Sequence, residues 1–156
     1  MKLSQLIQSI ETTAIHGSSD AGITSLGFDS RKVEPGQMFF ALKGAASDGH
    51  DFIPGAVGNG AAAVVCEQLP ENRTDGVAYI QVPDSMLAMW HIASAFYGKP
   101  SAHLKRVGVT GTNGKTTTVT LLYDTFRKLG YRAGLISTVV YKIDDRSIDS
   151  THTTPD

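Results

Sequence analysis

The stretch from Val107 to Thr118, which reads V-G-V-T-G-T-N-G-K-T-T-T, constrains the fold more than any other part of the sequence. Val107 and Val109 predict a short apolar strand that runs into a glycine-rich turn. A lysine and three threonines then open a segment with the apolar spacing of a helix. This order is typical of phosphate-binding loops, because glycines let backbone N–H groups approach an anion at a helix N-terminus.

Two side chains of this stretch predict what it binds. Lys115 adds a full positive charge to the roughly half charge of the helix N-terminus. Thr116, the first hydroxyl after the lysine, is placed to ligate Mg²⁺. Val109 stands where the general G-x-x-x-x-G-K-[ST] pattern has its first glycine, so the turn is shortened and begins at Gly111. We therefore expect a nucleoside triphosphate site, with ATP and Mg²⁺ as cofactors of an enzyme.

Composition excludes several classes of function. The 156 residues are 41% apolar and 19% charged, as in ordinary soluble globular proteins, and the net charge of −1 without a basic run argues against nucleic acid as a partner. No apolar stretch is long enough for a membrane span, and the N-terminus does not resemble a secretory signal, so we expect a cytoplasmic protein. We also expect a monomer. The single cysteine, Cys66, excludes a disulfide within the chain and is expected in the core.

Alternating strand and helix patterns predict an α/β fold in two domains. We expect a first domain at 1–100, a linker around Gly98–Ser101, and a second domain at 101–156 that begins with the strand before the glycine-rich turn. The first two strands are expected to be joined by a tight reversal at Pro35-Gly36. Because phosphate-loop domains usually need further strands, the sequence looks truncated after Asp156. Predicted strands are 23–28, 37–42, 62–66, 77–82, 132–136, 139–143 and 147–149, and predicted helices are 3–10, 52–57, the segment after Asp84, and the segment from Lys115 to Gly130.

The helix after Asp84 carries a stripe of large side chains. Asp84 is the expected N-cap, and His91 is expected on the flank of the helix. Spacings of three, four and seven residues predict that the stripe packs into the core and does not form a ligand surface. Its members are Met86, Met89, Trp90, Ala93, Phe96 and Tyr97.

Three segments together resemble the N-terminal third of the Mur ligases, and within that family the UDP-N-acetylmuramoyl-L-alanyl-D-glutamate amino-acid ligases (MurE). The first segment contains Asp29-Ser30-Arg31, Pro35-Gly36 and Asp48-Gly49-His50. The second is the glycine-rich turn, and the third is the terminal Thr151-His152-Thr153-Thr154-Pro155-Asp156. The resemblance covers essentially the whole chain.

The resemblance implies an N-terminal UDP-binding α/β domain followed by the start of a central phosphate-loop ATPase domain. It also implies an ATP-dependent ligase of peptidoglycan precursor synthesis. Such an enzyme adds a diamino acid, L-lysine or meso-diaminopimelate, to UDP-N-acetylmuramoyl-dipeptide through an acyl phosphate. Other groups that the family needs lie beyond residue 156, so we expect this chain alone to be inactive and to bind ATP weakly.

Site residues follow from the resemblance, position by position. Lys115 and Thr116 are implied as catalytic residues, and Thr116 is also implied as a ligand of the metal. The ATP-binding residues implied are Gly111, Thr112, Asn113, Gly114, Lys115, Thr116 and Thr117. The substrate-binding residues implied are Phe28, Ser30, Ala45, Ala46 and Ser47 at the uridine end, and His152, Thr153 and Thr154 near the muramoyl peptide.

Three alternatives remain open. The ligase that adds D-alanyl-D-alanine (MurF) shares the D-[ST]-R and D-G-H patterns, although the terminal T-T-P-D argues against it. A phosphate-loop kinase or GTPase would explain Lys115 and Thr116 but would leave residues 1–98 without a role. A non-catalytic UDP-sugar-binding module would need only the first domain.

Overall fold

The computed structural model describes residues 1–44 and 47–149. The chain divides into two compact units, Met1–Leu104 and Lys105–Asp156. In the part of the chain that is described, no helix has the length and apolar character needed to cross a lipid bilayer.

A five-stranded sheet forms the centre of the first unit, with the strand order β1-β5-β4-β3-β2. Strands β2 to β5 are parallel, and β1 runs antiparallel to β5. Four parallel strands in chain order place all their carboxyl ends at one edge of the sheet. The strands are β1 (Ala14–His16), β2 (Leu26–Gly27), β3 (Met38–Phe40), β4 (Ala63–Cys66) and β5 (Ala78–Gln81).

Helices cover both faces of this sheet. The helices are α1 (Leu3–Ile7), α2 (Ile53–Gly58) and α3 (Ser85–Phe96), with short 3-10 turns at Ser30–Lys32, Gly49–Phe52 and Pro100–His103. Met38 and Phe40 pack into the core cluster with α1 and α3, whereas Phe39 and Ala41 pack into the cluster with α2. Alternate residues of one strand therefore enter opposite layers, which confirms the predicted α/β class.

The connection between β2 and β3 differs from the expected tight reversal. A turn does form at Pro35-Gly36, where Gln37 N–H donates to Glu34 O at 3.1 Å and Gly36 has a φ of 84°. The two strands are nevertheless parallel, so this turn only ends a longer crossover. Prediction of a reversal here was wrong because a Pro-Gly turn marks a local bend and carries no information on strand pairing.

Helix α3 begins as predicted but buries only part of the expected stripe. The Asp84 carboxylate accepts a hydrogen bond from Leu87 N–H at 2.8 Å, and His91 is exposed. The buried residues are Ser85, Ala88 and Ile92, and Met89 and Phe96 pack partly buried against the same core cluster. The prediction that the whole stripe packs into the core is therefore confirmed for Met89 and Phe96 and wrong for Met86, Trp90 and Tyr97, which are 41%, 64% and 66% exposed.

The second unit contains one helix and a three-stranded antiparallel sheet, ordered β6-β7-β8. Its elements are α4 (Lys115–Lys128), β6 (Gly134–Ile136), β7 (Val140–Ile143) and β8 (Arg146–Asp149). The hairpin of β7 and β8 is confirmed. The strand expected at Val107 and Val109 is not formed, because residues 105–110 make no ladder with any described segment, and a strand exists only where a neighbour accepts its hydrogen bonds.

Ion pairs tie the end of α4 to the β7–β8 turn. Arg127 contacts Asp144 at 3.2 Å and Asp145 at 2.8 Å, and Arg132 contacts Asp144 at 3.0 Å. The Tyr123 hydroxyl donates to the backbone oxygen of Asp144. This arrangement fixes the helix against the hairpin although few apolar side chains of the unit are buried.

Candidate functional sites

Several predicted substrate-binding residues lie where the parallel strands of the first unit end. Phe28 and Ser30 directly follow β2, and Ser47 lies in the loop after β3. Phe28 is 49% exposed and Ser47 is also exposed, so both side chains are open to a ligand. The carboxyl edge of a parallel sheet is where α/β proteins bind ligands. Ala45 and Ala46 lie outside the described residues.

The three residues of the Asp29-Ser30-Arg31 motif do not all have the same role. Asp29 accepts from the backbone N–H of Arg31 at 3.1 Å and from its guanidinium at 2.9 Å through both carboxylate oxygens. These bonds hold the pKa of Asp29 at about 2, below its ordinary 3.8. Ser30 O accepts from the side-chain amide of Asn59 at 2.9 Å. Asp29 and Arg31 thus shape the turn that carries Ser30, whose half-buried side chain adjoins the sheet edge.

Sequence reasoning missed Lys43 and Glu67, which lie at the same edge. The Lys43 ammonium and the Glu67 carboxylate form an ion pair at 2.6 Å. Hydrogen bonding to Lys43 lowers the pKa of Glu67, and the same bond raises the pKa of Lys43. A usable signal existed, because each residue directly follows a predicted strand, and the ends of such strands meet at one edge when the strands are parallel.

Cys66 is a core residue, as predicted. Its side chain is fully buried in β4, and burial raises the pKa of the thiol to about 11. The thiol therefore stays protonated at neutral pH and has no nucleophilic role.

The glycine-rich loop of the second unit ends at the N-terminus of α4. Gly114 is the N-cap with a φ of 79°, and Gly111 has a φ of 151°, a conformation that favours glycine. No side chain caps the helix, and the first helical bond runs from Thr118 N–H to Gly114 O at 2.9 Å. Backbone N–H groups of the first turn therefore lack a partner within the helix and are directed at the loop.

The side chain of Lys115 folds back over this loop. Its ammonium donates to the backbone oxygen of Gly111 and to that of Thr112, the latter at 3.3 Å. The lysine is exposed, so an anion would meet both the ammonium and the helix N-terminus. A Cβ built at Gly114 would meet no atom within 4 Å, which leaves open space beside the N-cap. The donors present fit a polyphosphate.

The remaining predicted loop and terminal residues are less informative. Thr116 is half-buried, while Thr112, Asn113 and Thr117 are exposed. Among residues 1–44 and 47–149, no group of three histidine, cysteine or acidic side chains is placed to hold a metal ion. His152, Thr153 and Thr154 lie outside the described residues.

Two family profiles match most of the chain. The profile described as "Mur ligase family, catalytic domain" matches residues 22–97, and "Mur ligase middle domain" matches residues 109–156. The chain belongs to the Mur ligase family. Both the sheet-edge residues and the glycine-rich loop fall inside the matched ranges.

Individual Mur ligases resemble the chain over its whole length. The UDP-N-acetylmuramoyl-L-alanyl-D-glutamate–2,6-diaminopimelate ligase of Bacteroides fragilis is 54% identical over 156 residues, which are 100% of this chain and 32% of that protein. A solved structure of a ligase with the same name has 27% identity and a TM-score of 0.72, covering 100% of this chain and 31% of its own. The chain thus spans about a third of the length of these relatives.

A third comparison involves the D-alanyl-D-alanine-adding branch. The crystal structure of MurF ligase from Thermotoga maritima in complex with ADP has 31% identity and a TM-score of 0.53. It covers 72% of this chain and 24% of its own. Because this match is weaker, it supports the family's fold for this chain but gives less support for placing the chain in the MurF branch.

Proposed function

We propose that the chain is the N-terminal part of a MurE-type ligase, an ATP-dependent enzyme of peptidoglycan precursor synthesis. Identity of 54% with a diaminopimelate ligase, sustained over all 156 residues, is the observation that carries this proposal. The relative's name favours 2,6-diaminopimelate over L-lysine as the incoming diamino acid. The MurF alternative has less support, because solved MurF structures match 72–82% of the chain, whereas the solved diaminopimelate ligase matches all of it with a higher TM-score.

The proposed reaction joins a carboxylate to an amine. The γ-phosphoryl group of ATP passes to the free carboxylate of UDP-N-acetylmuramoyl-L-alanyl-D-glutamate and gives an acyl phosphate and ADP. The amine of the diamino acid then attacks the acyl carbon, and phosphate leaves as the amide forms. A carboxylate alone resists amines because oxide is a poor leaving group, so the enzyme must position the reactants and neutralise charge.

Residues of the second unit are proposed to bind the nucleotide. Backbone N–H groups from Gly111 to Thr117 would hold phosphate oxygens at the N-terminus of α4. Lys115 would exchange its contacts with Gly111 O and Thr112 O for the β- and γ-phosphates. Thr116 would contribute its hydroxyl to Mg²⁺ bound with the nucleotide. The MurF structure with ADP is consistent with a nucleotide site in this family.

The first unit is proposed to bind the uridine end of the substrate at the carboxyl edge of its sheet. Phe28 offers an exposed aromatic face for a base, and Ser30 and Ser47 offer hydroxyls. The proposal also includes Ala45 and Ala46 in this site, and it places His152, Thr153 and Thr154 beside the muramoyl peptide. It further includes a cytoplasmic location for the protein.

Titration of the ¹⁵N-labelled chain with ATP and Mg²⁺ tests the nucleotide site. We expect weak, saturable shifts of the amide signals of residues 111–118, because the N–H donors face the anion. Lys115→Ala should reduce the affinity about tenfold, since a charge-assisted hydrogen bond contributes about 1.5–3 kcal/mol. Lys128→Ala, which removes an exposed lysine from the other end of α4, is the matched control and should leave the affinity unchanged. Amide–amide NOEs along Lys115–Lys128 establish that α4 is formed in the chain, and unmoved loop signals at millimolar ATP would then refute the nucleotide site.

A further inference from the structure

A cluster of polar side chains at the carboxyl edge of the first sheet has no part in the function proposed above. At its centre is Glu67, which follows β4 and is 22% exposed at the side chain. One carboxylate oxygen pairs with the Lys43 ammonium at 2.6 Å. The other accepts from the backbone N–H of Ser85 at 3.2 Å and from its hydroxyl at 3.1 Å. Glu67 therefore links the loop after β3 to the start of α3.

His50 makes a second link between the same segments. Its Nε2 accepts hydrogen bonds from the backbone N–H of Glu67 at 2.9 Å and of Gln68 at 3.3 Å. Its Nδ1 lies 2.5 Å from Asp48 Oδ1. Two N–H donors at Nε2 require a lone pair there, so the ring is neutral and carries its proton on Nδ1, toward Asp48. The side chain is only 13% exposed.

The loop between these anchors is closed at its base. Lys43 and Asp48 pair as an antiparallel bridge, and Gly44 N–H donates to Ser47 O at 3.0 Å. Gly49 N–H donates to Leu42 O at 2.8 Å. Lys43 at one end is held by Glu67, and Asp48 at the other end is held by His50. Both ends of the loop are thus fixed to the segment that follows β4.

We propose that His50 and Glu67 are positioning residues for the uridine site, which they serve by fixing the loop that carries Ser47. This inference rests on the proposed function. A loop with small side chains must recognise its ligand largely through backbone groups and Ser47, and these bind well only if their places are set before the ligand arrives. Neither His50 nor Glu67 needs to touch the ligand for this role.

The geometry sets what a replacement for His50 must provide. The backbone N–H groups of Glu67 and Gln68 both donate to Nε2, so a replacement side chain must offer an acceptor at this point. Alanine offers no acceptor there, whereas the amide oxygen of glutamine is one.

Calorimetric titration of the chain with UDP-N-acetylmuramoyl-L-alanyl-D-glutamate tests the proposal. His50→Ala removes the acceptor of two neutral hydrogen bonds, so we expect its affinity to be about tenfold lower than that of the unaltered chain. His50→Gln retains an acceptor, so its affinity should stay within about threefold of that of the unaltered chain.

Two further variants separate positioning from a general effect on folding. His91→Ala removes an exposed histidine of α3 and should keep the affinity of the unaltered chain. Glu67→Gln removes the ion pair with Lys43 and should weaken binding about threefold or more.

The possible failures are distinguishable. If the unaltered chain binds the probe but His50→Ala binds it as tightly, His50→Gln binds it as weakly as His50→Ala, or Glu67→Gln binds it normally, the positioning role is wrong and the uridine site stands. If the unaltered chain does not bind the probe, the uridine site of the proposed function is wrong and the inference falls with it.

Discussion

Asp29 caps the short turn after β2 and holds the Arg31 guanidinium through two hydrogen bonds. The next residue, Ser30, carries the side chain proposed to meet the substrate. A carboxylate–guanidinium pair between nearby residues is rigid, because the planar guanidinium group fixes the geometry of its two hydrogen bonds. The pair therefore holds the residue between its two members in place. Asp29 and Arg31 therefore have a structural role in the motif, and Ser30 carries the side chain with the proposed functional role.

Asp29→Asn should show a pH-dependent loss of stability. The pKa of Asp29 is held at about 2 in the folded chain, below its ordinary 3.8. A lowered folded pKa means that the carboxylate stabilises the fold above pH 3.8 and that this contribution is lost as the pH falls through about 2. Urea unfolding midpoints should be lower for the variant at pH 7 and equal to those of the unaltered chain near pH 2.

Asp75→Asn is the control for this measurement, because Asp75 lies in an exposed turn of the same unit. Its unfolding midpoint should match that of the unaltered chain at pH 7. A constant difference between Asp29→Asn and the unaltered chain from pH 7 to pH 2 would show that the carboxylate charge is not the cause.

At the scale of the elements, the connection between β3 and the turn at Gly49–Phe52 requires the backbone of Gly49 to lie close to the backbone of Leu42. A Cβ placed on Gly49 would lie 2.5 Å from Leu42 N and 2.6 Å from Leu42 O. Both are backbone atoms of the segment that continues β3, so the overlap cannot be relieved by a rotamer change. The glycine of the Asp48-Gly49-His50 motif is thereby explained by sterics, while its two neighbours belong to the cluster around Glu67.

Gly49→Ala should destabilise the first unit by about 1–3 kcal/mol, the usual range for overpacking. Gly55→Ala is a matched control inside α2, where a Cβ would meet nothing within 4 Å. Alanine is the better helix former, so this control should stabilise the unit by up to about 1 kcal/mol. Free energies of unfolding from urea titration followed by circular dichroism provide both values. Equal stability of the two variants would contradict the steric argument.

The elements that could be predicted are those whose formation is determined mainly by the local sequence. The buried run Ala63–Cys66 was found because strands covered on both faces are continuously apolar, and the Asp84 cap because it bonds three residues away. The segment before the glycine-rich loop was misread because a strand needs a neighbour that no local pattern specifies. The outer face of α3 was misread because Trp90 is apolar yet 64% exposed, and hydrophobic spacing does not fix helix rotation.

The candidate sites were predictable to a similar extent. Lys115 and Thr116 were identified from a contiguous motif, whose chemistry follows from adjacent residues. Lys43, His50 and Glu67 meet only through the parallel order of β3 and β4, which contiguous motifs do not reveal. The role proposed for them rests on the tertiary structure alone.

At the scale of the whole molecule, the two units differ in how well they bury apolar surface. The first unit has core clusters on both faces of its sheet. In the described part of the second unit, Leu135 is the only buried apolar side chain, at 4% exposure. Several of its large apolar side chains are more than half exposed, among them Val107, Leu121, Leu129, Ile136, Val139, Ile143 and Ile148.

Residues 1–104 should therefore fold alone, and residues 105–156 should not. Burial of apolar surface, at roughly 25 cal/mol per Å², must offset the conformational entropy of ordering a chain, and the second unit buries too little. The fragment 1–104 should unfold cooperatively in urea at the midpoint of the whole chain. Trp90, the single tryptophan, lies in this unit, so its fluorescence reports the same transition in both proteins.

The fragment 105–156 should show no cooperative transition by circular dichroism and should bind the dye ANS, which senses loosely packed apolar surface. Arg127→Ala in the whole chain provides a further check. This change removes the ion pairs that join α4 to the β7–β8 turn, and it should leave the tryptophan-detected midpoint unchanged because that midpoint belongs to the first unit. A cooperative transition of the isolated second fragment, without dye binding, would contradict the view that its helix and hairpin lack a sufficient core.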